Sequence, residues 1–201
     1  AGLVPKLEAM GHTIANVKSC GIGSADAQDP RYPKARFLDE IHETCAFIAE
    51  RVEAELGEGH TPLVLGGDHS QAIGTLSGMA NHYRKTQEDI GVIWVDAHTD
   101  MNTPESSPSG NIHGMPLASL LGHGPKKLIE LAGQTPALNP EKVVVFGARD
   151  IDATEIPIVK DLGIRVYTMH EIDSRGTSIC VQEAIELAGH NTAGIHLSFD
   201  L

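Results

Sequence analysis

The chain has 201 residues, 41% of them hydrophobic and 21% charged, a globular rather than a disordered composition. A formal charge of −12 excludes a nucleic-acid or anionic-membrane binder that works through a basic face. Three scattered cysteines, Cys20, Cys45 and Cys180, form neither a CxxC pair nor an even framework, which fits a reducing compartment.

Taken in order, the first residues show no basic segment followed by an apolar one, so no secretory leader is read there. Gly21-Ile22-Gly23 resembles the start of a dinucleotide fingerprint, but no strand precedes it and the third glycine is missing; it is set aside. Phe37 to Leu56 carries Ile41, Cys45, Ile48, Val52 and Leu56 at three- and four-residue steps before Gly57, the pattern of an amphipathic helix. Further helices are expected over about Gln71–Tyr83, Met115–Leu121 and Ile179–Leu187. Strands are predicted at Pro62–Leu65, Val92–Val95, Val143–Phe146, Ile164–Tyr167 and Ile195–Phe199, several continuously apolar, as in strands buried on both faces. Their alternation with helices predicts a parallel sheet covered on both sides, in one domain spanning 1–201. No stretch reaches the apolar length that spans a bilayer. Gly194 to Leu201 reads as a strand still in progress, and the sequence is expected to be partial at both ends.

In such a sheet ligands bind beyond the carboxyl ends of the strands. Polar clusters follow four strands: Gly66-Gly67-Asp68-His69-Ser70, Asp96-Ala97-His98-Thr99-Asp100, Arg149-Asp150-Ile151-Asp152, and Asp200. Carboxylates and imidazoles crowded on one rim call for a cation. Asp96, His98 and Asp100 alternate, so an extended strand end would point all three the same way. Asp68 is read instead as a cap of the following helix. Two His and three Asp without Cys suit Mn²⁺, Mg²⁺ or Fe²⁺ better than a thiolate-rich zinc site. Two metals sharing a carboxylate would lower the pKa of a bridging water toward neutrality. His12, His42, His60, His82, His123, His170 and His190 have no carboxylate at ligand spacing and are read as solvated, and His196 as packed in its strand. Thr103 to Gly114, rich in Pro, Ser and Gly, is a long loop of the functional kind.

These blocks, with Ser109-Gly110-Asn111-Ile112-His113-Gly114, Gly147-Ala148-Arg149-Asp150-Ile151-Asp152 and Glu155, and Ser198-Phe199-Asp200, resemble the ureohydrolase family and within it the arginases. The residues Ala1-Gly2-Leu3 look like the family's first helix. The resemblance implies a three-layer α/β/α sandwich with a mostly parallel sheet. It also implies two Mn²⁺ ions and hydrolysis of L-arginine to L-ornithine and urea by a metal-bridging hydroxide. By the same resemblance His69, Asp96, Asp100 and Asp200 hold one metal, and Asp96, His98 and Asp200 the other, Asp96 and Asp200 bridging. His113 and Asp100 are the expected catalytic residues, His113 as the proton shuttle, for which an imidazole's near-neutral pKa is suited. Asn102, Ser109 and Asn111 fall where the substrate α-carboxylate is bound, Asp152 and Glu155 where the α-ammonium is engaged, and His98 also faces substrate. A further Asp ligand and a later Glu of the family lie outside this sequence, so the chain as it stands is expected to hold the second metal poorly. The resemblance further implies arginine metabolism, such as the urea cycle. A cytoplasmic location (or a mitochondrial matrix) and a homotrimer or homohexamer are expected with it. The rivals are an agmatinase or other guanidino-acid hydrolase, and an inert ureohydrolase-like subunit. A deacetylase of related fold is disfavoured by the Asp96–Asn102 block.

Overall fold

The computed structural model describes residues 2–21 and 31–201. Ile22 and Gly23, and with them most of the discarded Gly21-Ile22-Gly23 motif, lie outside the described residues. In chain order the elements are α1 (Leu3–Ala9), α2 (Leu38–Gly57), α3 (Gln71–Arg84), β1 (Gly91–Val95), α4 (Pro116–Leu120), α5 (Lys126–Ile129), β2 (Val143–Ala148), α6 (Ile156–Asp161), β3 (Arg165–Thr168), α7 (Met169–Arg175), α8 (Thr177–Gly189) and β4 (Ile195–Phe199). Among the described residues no helix is long and apolar enough to cross a membrane.

The four strands form a parallel sheet in the order β3-β2-β1-β4. The apolar runs of β1 and β2 follow from burial on both faces, whereas Leu197 and Phe199 of β4 are exposed. Val92, Trp94, Val143 and Val145 pack toward α3, α4 and α6, while Ile93, Val144 and Tyr167 pack toward α7 and α8. The result is the expected three-layer α/β/α sandwich. The chain moves outward from β1 to β2 to β3 with helices on one face, then returns through α7 and α8 on the other to place β4 against the free side of β1. Reversal of strand order between β1 and β4 opens a crevice at their carboxyl ends.

The predicted strand at Pro62–Leu65 is not formed: the segment is unpaired coil, and Leu63 and Leu65 are exposed. Its apolar composition favours a buried strand, but no strand among the described residues lies beside it to complete the ladder. Helices α6 and α7 were not read from the sequence. Both are two turns or less, too short to show a 3.6-residue period. The predicted helices over 37–56, 71–83, 115–121 and 179–187 match α2, α3, α4 and α8 to within two residues at each end.

The α2–α3 pair sets the angle at which the chain enters the crevice. Its contact is made of small residues. A Cβ on Gly74 would lie 2.5 Å from the Cys45 carbonyl oxygen, and one on Gly78 2.4 Å from that of Ala49. The backbones approach this closely because neither glycine carries a side chain.

His196, on β4, is half-buried, as its expected strand packing requires. Burial, aided by the charge of His69, depresses its pKa to about 4. An unfolded histidine takes up its proton near pH 6.5, so the folded state loses stability as pH falls from about 6.5 toward 4. For the metal-free protein, urea unfolding should show about 1–2 kcal/mol of that loss between pH 7 and pH 5. His196→Gln should lack this increment; an identical pH slope in both proteins would refute the assignment.

Candidate metal centre

The carboxyl ends of β1 and β4 are in register, Val95 beside Phe199. Beyond the last paired residues the backbone bonds continue: Asp96 N–H donates to the Phe146 carbonyl (3.1 Å) and Asp200 N–H to that of Val95 (3.0 Å). Asp96 and Asp200 are thereby set side by side at the mouth of the crevice. His69 arrives from the opposite wall, two residues before α3. At that entrance Asp68 accepts hydrogen bonds from the Ser70 backbone N–H (3.0 Å) and hydroxyl; it does not cap α3 as expected, because it stands two residues before the N-cap, Ser70, which itself makes no side-chain cap bond.

Asp96, His98 and Asp100 converge, but not by strand alternation. β1 ends at Val95, and the next residues turn. Asp96 Oδ1 accepts from the His98 N–H (2.9 Å) and lies 3.1 Å from His98 Nδ1, while Asp100 adopts a left-handed φ of 52°. A side-chain-capped turn replaces the extended end because the Asp96 carboxylate satisfies the His98 amide locally, past the last paired residues of β1.

Two groups with metal-ligand geometry share this rim. In His69, Asp96 and Asp100, all buried, and in Asp96, His98 and Asp200, one ligand atom from each residue lies within 4.8 Å of the others. Asp96 belongs to both. His69 Nδ1 is 2.8 Å from Asp96 Oδ2 and 3.0 Å from Asp100 Oδ2. One ring proton cannot serve both oxygens, and Asp100 Oδ2 is left buried without a hydrogen-bond partner. A buried carboxylate oxygen aimed at another carboxylate and an imidazole nitrogen is the donor arrangement a divalent cation satisfies. A donor set of carboxylates and imidazoles without thiolate suits Mn²⁺, Mg²⁺ or Fe²⁺.

Without a metal, the His69 proton carries the compensating charge. Burial opposes that charge, but the contacts with Asp100 and Asp96 outweigh it and raise the pKa to about 9. Burial raises Asp100 to about 6. It acts on Asp96 too, yet the bonds from His69 and the His98 amide hold that carboxyl below its ordinary value.

Three supporting residues escape a reading of ligands alone. The Ser198 hydroxyl is 2.8 Å from His69 Nε2, and the Trp94 ring stacks on the imidazole at 3.9 Å between centroids, fixing the ring from edge and face. The signal was present as period two: Trp94 precedes Asp96, and Ser198 precedes Asp200, by one pleat. Thr99, fully buried, donates to Glu155, and nothing in its spacing distinguishes it. Among the histidines set aside, His60 is a correction. Its Nδ1 lies 2.7 Å from Glu55 and 3.7 Å from Glu58, a group at the end of α2 in which Glu55 and His60 are half-buried, created where the chain folds back after Gly59.

The remaining candidate residues divide. Asn102 is buried, its Nδ2 donating to Asp152 (2.8 Å) and its Oδ1 accepting from Ser106 (2.8 Å) and Thr154 (3.3 Å). Glu155 is 3% exposed and accepts from the Asp152 N–H. Ser109, Asn111 and His113 lie on the Thr103–Gly114 loop, which Asn102 N–H closes onto the Gly114 carbonyl (3.0 Å). Ser109 accepts from the Asn111 N–H, Asn111 Oδ1 accepts from Arg36 (3.4 Å), and His113 is exposed in a 3₁₀ turn. Gly110 has φ 72°, and a Cβ there would meet the Pro33 carbonyl at 2.4 Å, so only glycine lets the loop pass the 33–36 segment.

The arginase family model matches residues 6–201. A curated arginase of Bacillus caldovelox is 44% identical over 202 residues, which cover 100% of this chain and 66% of that protein. The native crystal structure of Bacillus caldovelox arginase superposes with a TM-score of 0.92 at 42% identity, over 99% of this chain and 66% of that one. Entamoeba histolytica arginase in complex with L-ornithine matches with a TM-score of 0.76 at 35% identity, over 89% and 59%. The chain thus spans just under two thirds of the length of the curated relatives it matches. With one family model running from residue 6 to residue 201, and the expected ligand groups gathered at the end of the same parallel sheet, the chain belongs to the arginase family.

Proposed function

We propose that this chain carries the metal centre of a Mn²⁺-dependent hydrolase that converts L-arginine to L-ornithine and urea. The observation that carries the reading is the pair of ligand groups sharing Asp96, beside the Asn102–Asp152 pair. Its relatives carry the name arginase, and one of them is solved with L-ornithine. In this reading His69, Asp96, Asp100 and Asp200 hold one Mn²⁺, and Asp96, His98 and Asp200 the other. Two such ions supply a water acidic enough to attack at neutral pH.

The chain's own residues do the rest. The acidic rim draws in a cationic guanidinium, whose resonance makes uncatalysed attack slow. Asp152 faces the α-ammonium, already oriented by Asn102. The second Nδ2 hydrogen of Asn102, with Ser109 and Asn111, serves the α-carboxylate. His113, free in its exposed turn, delivers a proton to the departing amine. The same reading places the enzyme in the cytoplasm as a homo-oligomer.

The test compares arginine with agmatine, which lacks the α-carboxylate, by urea release from the Mn²⁺-loaded protein. Arginine should be the faster substrate, and Ser109→Ala should lower kcat/KM for arginine about 10-fold while moving agmatine less than about 2-fold, as expected for one lost bond to a charged group. Faster turnover of agmatine would make the chain an agmatinase. Equal losses on both substrates would remove Ser109 from carboxylate recognition.

A further inference from the structure

Among the candidate site residues, Glu155 makes contacts that point away from any ligand. It is 3% exposed at the start of α6, and its carboxylate is spent on three protein donors. Oε1 accepts from the Thr99 hydroxyl and from the Met101 N–H, both at 2.7 Å, and Oε2 accepts from the Asp152 N–H at 2.9 Å. Thr99 and Met101 are the two neighbours of Asp100 in sequence, both fully buried.

Asp100 needs holding. A non-glycine residue at φ 52° occupies a minor well, tolerated by aspartate but not preferred by it. The Asp100 carboxylate meets His69 Nδ1 at 3.0 Å, a side-chain contact that does not fix the backbone on either side of it. From one side the Asp100 carbonyl accepts from the Ala118 N–H of α4 (3.2 Å). From the other, a single Glu155 oxygen grips the residue before and the residue after it. With both neighbours pinned to one atom, the peptide planes flanking Asp100 cannot rotate independently, and the carboxylate stays aimed at His69.

We infer that Glu155 is a positioning residue for the metal ligand Asp100, acting through Thr99 and Met101, rather than a contact of the substrate ammonium. The same carboxylate, through the Asp152 amide, ties the substrate-facing turn to the metal-ligand turn, so that the two are set at a fixed spacing. This inference rests on the proposed reading of the centre as a Mn²⁺ site.

The test uses Mn²⁺ titration followed by electron paramagnetic resonance, arginine kinetics at saturating Mn²⁺, and amide hydrogen exchange at Met101 in the metal-free protein. Glu155→Ala should weaken Mn²⁺ binding about 10- to 100-fold, the range for residues that orient metal ligands. Thr99→Val, nearly isosteric and out of reach of any substrate, should weaken it in the same sense, and the double variant should lose less than the product of the two. Glu155→Gln keeps an oxygen for Thr99 and Met101, so it should rescue most of the affinity. KM for arginine should stay within about 2-fold in Thr99→Val, which leaves the bond from the Asp152 amide to Glu155 intact. The Met101 amide should be protected in the parent and exchange faster in Glu155→Ala. An unchanged Mn²⁺ affinity in Thr99→Val overturns the inference even if Glu155→Ala does not fold. So does a Glu155→Gln variant whose Mn²⁺ affinity recovers nothing over Glu155→Ala. A parent protein that binds no Mn²⁺ overturns the metal reading instead, and Met101 exchange then still decides whether Glu155 holds the Asp100 turn.

Discussion

Asp96→Asn should remove metal from both halves of the centre, because Asp96 is the residue that the two ligand groups share. The amide that replaces the carboxylate is nearly the same size, and its oxygen can still accept the His98 N–H, so the turn after β1 should survive. What is lost is the negative charge common to both ligand groups, and an amide would offer only one oxygen to a metal. Metal analysis of protein loaded with Mn²⁺ and then desalted should show fewer ions per chain in the variant than in the parent. Urea release from arginine should fall by at least about 1,000-fold, equivalent to roughly 4 kcal/mol of lost transition-state stabilisation. Circular dichroism should be unchanged, separating loss of metal from loss of fold. Undiminished metal content would refute the shared-ligand assignment.

The second large effect concerns the fold that delivers His69. Gly74→Ala has two opposed consequences. On an isolated helix, alanine in place of glycine gains about 1 kcal/mol. Here the new Cβ would lie 2.5 Å from the Cys45 carbonyl oxygen and 2.8 Å from the Cys45 Cα, both backbone atoms that no side-chain rotation can move. Overpacking of this kind costs about 1–3 kcal/mol even where side chains can yield, and a clash with backbone lies at or beyond the top of that range. The clash should therefore win by about 2 kcal/mol, lowering the melting temperature by about 4–8 °C in a chain of this size. α3 begins two residues after His69, so prising it from α2 should also weaken Mn²⁺ binding. A melting temperature at or above that of the parent would show that the two helices are not in backbone contact at this point.

The residues that bear the chemistry were legible because each follows an apolar run. Asp96, Asp152 and Asp200 follow strands, and a parallel sheet sends all such ends to one rim, while the apolar run before His69 forms no strand. Helix α2 was legible for the same reason in another period. Its stripe is carried by Cys45, Ala49 and Val52, while Ile48 and Leu56 are only half-buried, because small residues are what α3 requires there. The segment Pro62–Leu65 has the composition of a strand and is not one, since hydrogen bonding of a strand depends on a neighbour that composition does not supply.

Local composition and spacing were thus enough to determine the layer architecture, the rim and the kinds of donor gathered there, all of which follow from burial and from the direction of the strands. Strand order was decided only in three dimensions. It places β4 on the free side of β1 and so sets Asp200 beside Asp96, residues more than a hundred positions apart. Tertiary structure also decided that Asp96, His98 and Asp100 meet through a turn, and that His69 is held by Trp94 and Ser198. It turned Glu155, too, inward onto both neighbours of Asp100. Each of these depends on which side chain faces which across the fold, and a hydrogen bond of 2.7 Å between residues 99 and 155 leaves no periodicity in either segment to announce it.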